Sequence, residues 1–262
     1  MFSRYYGVLL IKFREAFAYR FNYFVKIASN FISLLIIWFI WKAIFAASTG
    51  VMAGFTFDSM MIYMSLIIVL NWLFSSFEEH TMEFEVRSGA IAMYLIKPIS
   101  YPITCFFRGI GSRISTLILQ ISPFLLTAIF LVKLTWPVSW WFFPSVLLSY
   151  LISFNLIFMT GLWAFYSSGH IWGIRLSRQL MQNIFSGALI PLAFFPLWLM
   201  DIANVLPFIA IIHIPVSIYL GAISGTTILP SVGLQIFWVL VMSGLSYLLW
   251  AKTRKKIFVQ GG

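Results

Sequence analysis

The chain has 262 residues, 61% of them hydrophobic and only 9% charged, with a formal net charge of +10. A soluble domain carries roughly 25% charged residues, so this composition excludes a soluble globular protein and indicates an integral membrane protein. The basic excess would suggest nucleic acid in a soluble chain. Here it flanks apolar runs, where its role is orientation and contact with anionic lipid headgroups, not nucleic acid.

Residues 2–20 are too charged to cross a bilayer. On a helix at about 100° per residue, Phe2, Tyr6, Leu9, Leu10, Phe13 and Phe17 share one arc, with Arg4, Lys12 and Glu15 away from it. This predicts an amphipathic helix in the membrane interface, serving as an anchor or as a lever. The first long apolar run begins near residue 22 and is too long for a signal-peptide core, and no small-residue cleavage site precedes the next span.

A bilayer core needs about 20 apolar residues per helix. Such runs cover residues 23–45, 60–77, 114–132, 141–165, 183–200 and 230–250. They predict six transmembrane helices in a single domain, 1–262. With the N-terminus in the cytoplasm, six spans place every Lys and Arg of the seventeen inside except Lys42 and Lys133, a strong positive-inside bias. A seventh span would carry the basic stretch AKTRKK to the other side. Residues 202–221, though apolar, are therefore expected to form short re-entrant or interfacial helices on the outer side, between spans five and six. Pro191, Pro196, Pro207 and Pro215 punctuate this region and break the helix ladder. Irregular backbone at that depth must be covered by protein. A kinked span followed by an exposed loop is the other reading. The cluster WPVSWWFF, Trp136 to Phe143, reads as an outer aromatic belt.

Four of the seven acidic residues fall within EEHTMEFE, Glu78 to Glu85. Each acid at the centre of a membrane helix costs about 3 kcal/mol, so residues 78–100 are expected in water on the cytoplasmic side. The stretch keeps Met82, Phe84, Val86, Ile91, Met93 and Leu95, which need something to pack against. Ser88-Gly89 divides it into two short helical pieces and Lys97-Pro98 ends it. It is either a solvated loop dipping into the headgroups or a docking helix for a soluble partner.

The chemistry of catalysis is missing from the sequence. There is no G-x-x-x-x-G-K-[ST] phosphate loop and no Ser/His/Asp or Cys/His arrangement. Cys105 is the single cysteine, and His80, His170 and His213 have no zinc-ligand spacing. Asp201 and His213 read as solvated outer residues, and Asp58 as the outer mouth of span two. The chain is expected not to be an enzyme and to hold no metal. The spans contain almost no charge at mid-depth, which argues against a proton-coupled carrier. Arg108 and Arg113, at the inner end of span three, either snorkel or pair with Glu83 or Glu85.

The stretch EVRSGAIAMYLIKPIS after the second span resembles the pattern that follows the second span of ABC-2 type permeases. LPFIAIIHIPVSIYLG, QIFWVLVMSGLSYLLW, the ending KKIFVQGG and the early AYRFNYFVKIASNFISLLIIWFIWKAIF resemble the same family. The likeness is nearest to bacterial members that occur as paired permeases, including the viologen-exporter type. It implies a multi-pass permease subunit of an ABC exporter in the bacterial cytoplasmic (inner) membrane, with both termini in the cytoplasm. The partners implied are two copies of an ABC ATPase and a second permease, identical or related. ATP and Mg would be bound by the ATPase, leaving this chain without a cofactor. The segment after the second span would be the coupling helix gripped by the ATPase, here roughly Glu83 to Leu95, including Glu85, Arg87, Ser88, Gly89, Ala90 and Tyr94. A hydrophobic or amphipathic substrate would move between two permease copies past Phe31, Trp38, Trp72, Phe124 and Phe185. The rival reading is a non-transporting membrane scaffold that recruits a soluble cytoplasmic partner.

Overall fold

The computed structural model describes residues 20–47, 50–75, 78–96, 100–167 and 170–257. The interfacial helix expected over residues 2–20 lies outside them apart from Arg20. Helix α1 spans Arg20–Ala46. A two-stranded hairpin, β1 (Val51–Met52) against β2 (Phe55–Thr56), leads into α2 (Phe57–Phe74). Thr56 and Ser59 start α2 with a reciprocal capping box: Ser59 N donates to Thr56 Oγ1 (3.3 Å) and Thr56 N to Ser59 Oγ (2.9 Å).

Two short helices follow, α3 (Glu78–Arg87) and α4 (Ala92–Ile96). Next, α5 (Tyr101–Thr116) continues through a widened turn, Leu117–Ile121, into α6 (Ser122–Val132). Pro123 explains the widening. It has no N–H for the carbonyl four residues back, and its ring would collide with that carbonyl; one turn of wider pitch relieves both problems without ending the rod. The expected span over 114–132 is thus the far half of a 32-residue helix, Tyr101–Val132.

Helix α7 (Phe142–Leu162) packs most extensively on the last long helix, α11 (Ile228–Ile257). Ser145, Ser149 and Ser153 are buried along one face of α7, one turn apart. In lipid, small residues of this kind let helices approach closely. Asn155 Nδ2 donates to Ser243 Oγ across the α7–α11 pair (3.1 Å).

Among the described residues, five helical stretches are long and apolar enough to cross a membrane: Ile27–Ala46, Phe57–Arg87, Tyr101–Val132, Phe142–Phe165 and Gly225–Lys255. The molecule is an all-α integral membrane protein. Residues 183–200 do not form the single helix expected there. Instead α8 (Trp172–Phe185) stops at Ser186, and the chain proceeds through short turns to α9 (Leu197–Val205) and α10 (His213–Leu220). Two local causes are visible. Pro191 and Pro196 lack the N–H that a continuing helix needs, and Gly187 turns the chain at φ +78°. A Cβ on Gly187 would lie 2.8 Å from the Tyr63 hydroxyl, which donates to the Gly187 carbonyl at 2.9 Å.

This broken segment is buried. Ala210, Ile211, Ile212, Val216 and Ile218 have no exposed surface. Carbonyls freed by the breaks find partners on neighbouring helices. The Ala210 carbonyl accepts from Ser149 Oγ (2.9 Å) on α7 and from Gln235 Nε2 (2.8 Å) on α11. The aromatic residues Trp136, Trp140, Trp141 and Phe143 are exposed, as a belt at the membrane surface requires.

Candidate functional site

The charged segment forms a compact pole where α3 and α4 meet the ends of α5, α7, α8 and α11. Helical periodicity of about 100° per residue divides α3 into three faces. Glu78, Met82 and Glu85 point one way, Glu79 and Glu83 a second, Phe84, Arg87 and Ser88 a third. The first face is the inner one. Met82 is fully buried with Cys105, Tyr101, Phe158 and Leu162. It lies against Gly161 of α7, where an added Cβ would come within 2.4 Å of the Met82 sulfur.

The acids are also turned inward. Glu78, Glu79 and Glu85 are almost wholly buried. Burial of a carboxylate costs several kcal/mol unless a well-placed partner offsets it. Arg108 of α5 supplies two such contacts: Nε to Glu78 Oε2 and NH1 to Glu85 Oε1, each at 2.7 Å. Glu85 also accepts from the Tyr101 hydroxyl (2.6 Å) and the Tyr94 hydroxyl (3.0 Å). The ring of Tyr101 stacks on Trp250 of α11 at 5.3 Å.

A second clamp comes from α8. Arg178 NH2 donates to Glu79 Oε1 and its NH1 to Gln182 Oε1, both at 2.9 Å. One turn earlier, Arg175 NH1 lies 3.6 Å from Glu83 Oε2 and 2.8 Å from His80 Nδ1. Since arginine can only donate, that histidine nitrogen is the acceptor. Two helices thus hold α3 from behind.

Of the residues assigned by sequence to coupling, Arg87, Ser88 and Gly89 are exposed and Ala90 is half-buried. Gly89 makes the turn between α3 and α4 at φ +73°. Glu85 and Tyr94 are hydrogen-bonded to each other within the Arg108 clamp, and Glu83 lies 3.6 Å from Arg175. Leu95 lies within α4. Phe84, Ala92 and Met93 complete the exposed face; Phe84 is 68% exposed although the next residue, Glu85, is buried. The apolar spacing of the segment had marked Phe84 and Met93 as residues needing a surface to pack on. Arg175 and Arg178 were legible only as a basic pair three residues apart before span five.

The residues expected along a substrate path do not form one wall. Phe31 is exposed on α1, while Trp38, Trp72 and buried Phe124 belong to one packed apolar cluster, with Trp72 and Phe124 edge to face at 5.0 Å. Phe185 stacks on Phe208 at 6.4 Å, elsewhere in the bundle. Arg113 NH1 donates to the Trp72 carbonyl at 2.8 Å, which places its guanidinium at the end of α2. Among the described residues no three His, Cys, Asp or Glu side chains gather to hold a metal ion. At the opposite pole, a cavity of about 500 Å³ lies between the hairpin, α2 and α10, with Phe55, Tyr63, Leu192, His213 and Ser217 in its wall.

A family model described as ABC-2 family transporter protein matches residues 31–261. No curated protein and no solved structure matches the chain.

Proposed function

The chain belongs to the ABC-2 transporter family, whose members are membrane components working with a separate ABC ATPase, and on that premise we propose that it is the permease subunit of an ATP-driven exporter. The observation that carries this reading is the exposed face of Phe84, Arg87, Ser88, Gly89, Ala92 and Met93, backed by the Arg108 and Arg178 clamps. An apolar knob held rigidly at the charged pole suits a soluble protein that moves it. The charged pole is the cytoplasmic one, because the basic residues cluster there. Six crossings then follow, with α8 and the buried turns after it forming the fifth and re-entering from the outer side. Both termini lie in the cytoplasm of a bacterial inner membrane.

ATP binding closes the ATPase pair and displaces α3 and α4. Arg108 carries that displacement to α5, and Arg175 and Arg178 carry it to α8. A space between two permease copies, identical or related, changes access from inner to outer. ATP drives the change because the ATPase binds it more tightly in one state than in the other. The substrate is a hydrophobic or amphipathic molecule.

Co-purification with the ATPase tests the reading. Phe84→Asp and Ala92→Glu change exposed side chains and leave the buried ion pairs intact. Each is expected to strip the ATPase from the purified permease while the permease stays in the membrane fraction. Wild-type amounts of bound ATPase in both variants would refute the docking face. ATP hydrolysis that never responds to any transported compound in the intact complex would favour a scaffold.

A further inference from the structure

Helix α8 carries a polar stripe whose purpose the clamps do not exhaust. Arg175, Arg178, Gln179, Gln182 and Asn183 fall on one side of it at helical spacing. Exposed Leu176, Leu180, Met181 and Ile184 occupy the other. All of the stripe except Arg175 lines a cavity of about 270 Å³ that Asn71 and Ser75 at the end of α2 complete. Phe74 and Ile157 form its apolar floor. Asn183 lies about 16 Å along α8 from Trp172, at 1.5 Å per residue, and the cavity opens between α8 and the end of α2 with Gln182 buried and Gln179 and Asn183 exposed at its edge.

The amides here are unused. Among the described residues, the side chains of Asn71, Gln179 and Asn183 make no hydrogen bond, and Gln182 uses only its oxygen, toward Arg178. Polar side chains within a membrane bundle face its interior or a water-filled space, not hydrocarbon. Such free amides offer both donors and acceptors. Arg178 contributes no net charge, being paired with Glu79 at 2.9 Å. The volume falls below the roughly 300–1,000 Å³ typical of sites that enclose a whole drug-sized ligand.

Building on the permease reading above, we infer that this cavity binds the uncharged, hydroxyl-bearing head group of an amphipathic substrate, leaving its apolar part outside. Arg178 joins that site to the docking segment. One guanidinium nitrogen holds Gln182 in the cavity wall and another holds Glu79 on α3. Occupancy of the cavity and the position of α3 are thereby coupled.

The test uses the full chain co-purified with its ATPase in detergent. The complex is mixed with equal amounts of a monoglucosyl diacylglycerol, phosphatidylglycerol and plain diacylglycerol, and retained lipid is read by native mass spectrometry. The glucosyl lipid is expected to be retained over the other two by about tenfold, the effect of one or two added hydrogen bonds. The double variant Gln179→Ala, Asn183→Ala, both at exposed side chains, is expected to reduce its retention to that of diacylglycerol. Preference for phosphatidylglycerol, or equal retention by variant and wild type, overturns the inference. ATPase content of the same samples separates the two readings. Selectivity without bound ATPase defeats the permease proposal alone; bound ATPase without selectivity defeats this one alone.

Discussion

Arg108 is the residue on which the charged pole depends most. Replacing it with Met keeps much of the stem volume but removes both 2.7 Å contacts to Glu78 and Glu85. Removing one partner of a buried ion pair costs about 3–5 kcal/mol, because the other charge stays buried. Glu85 keeps the hydroxyls of Tyr94 and Tyr101, which places the expected loss near the lower end, about 3 kcal/mol. At roughly 2–4 °C per kcal/mol for a chain of comparable size, the melting temperature should fall by about 10 °C. Fluorescence-detected size-exclusion chromatography of heated, detergent-solubilised protein measures this directly. Arg108→Lys should lie between the two, since a single ammonium cannot span both carboxylates with the fork of a guanidinium. Adding Glu78→Gln to Arg108→Met should recover part of the loss by removing one buried charge. A melting temperature within about 2 °C of wild type for Arg108→Met, at any of the magnitudes above, would show that the acids are not held as described.

Other consequences are separable. Gly161→Ala should press its new methyl against the Met82 side chain and destabilise the pole by about 1–3 kcal/mol; Met82→Ala in the same chain should relieve the clash, as a double-mutant thermal cycle would reveal. Gly89→Ala has room for its methyl but not the backbone, given φ +73°. It should cost about 1 kcal/mol and weaken ATPase co-purification, whereas Gly89→Asn, which tolerates that conformation better, should be milder. Gln235→Leu removes donors to Ser145, Ser149 and Ala210 and should lower thermal stability by about 1–3 kcal/mol.

Much of the architecture was readable from residue order because lipid imposes simple rules. Long uncharged runs must be helices, and basic residues collect at one side. Four acids cannot lie in hydrocarbon. Those rules sufficed for the membrane class and the positions of most long helices. They were not enough to say which way each acid points. Glu85 read either as part of the coupling segment or as a partner of an arginine at the inner end of span three, and its carboxylate is turned inward to Arg108, Tyr94 and Tyr101. Periodicity assigns a side chain to a face of its helix but does not say what lies across from it. The arginines that answer the acids stand 23, 30 and 99 residues away in sequence, and only the packing of α5 and α8 against α3 brings them into contact. The same holds for the amide cavity, which Asn71 and Asn183 line together only after two helices have found their neighbours. Sequence determined what must be buried in lipid and what must stay wet, since that depends on each residue's own transfer energy. Tertiary structure decided who pairs with whom, since that depends on the distance between residues far apart along the chain.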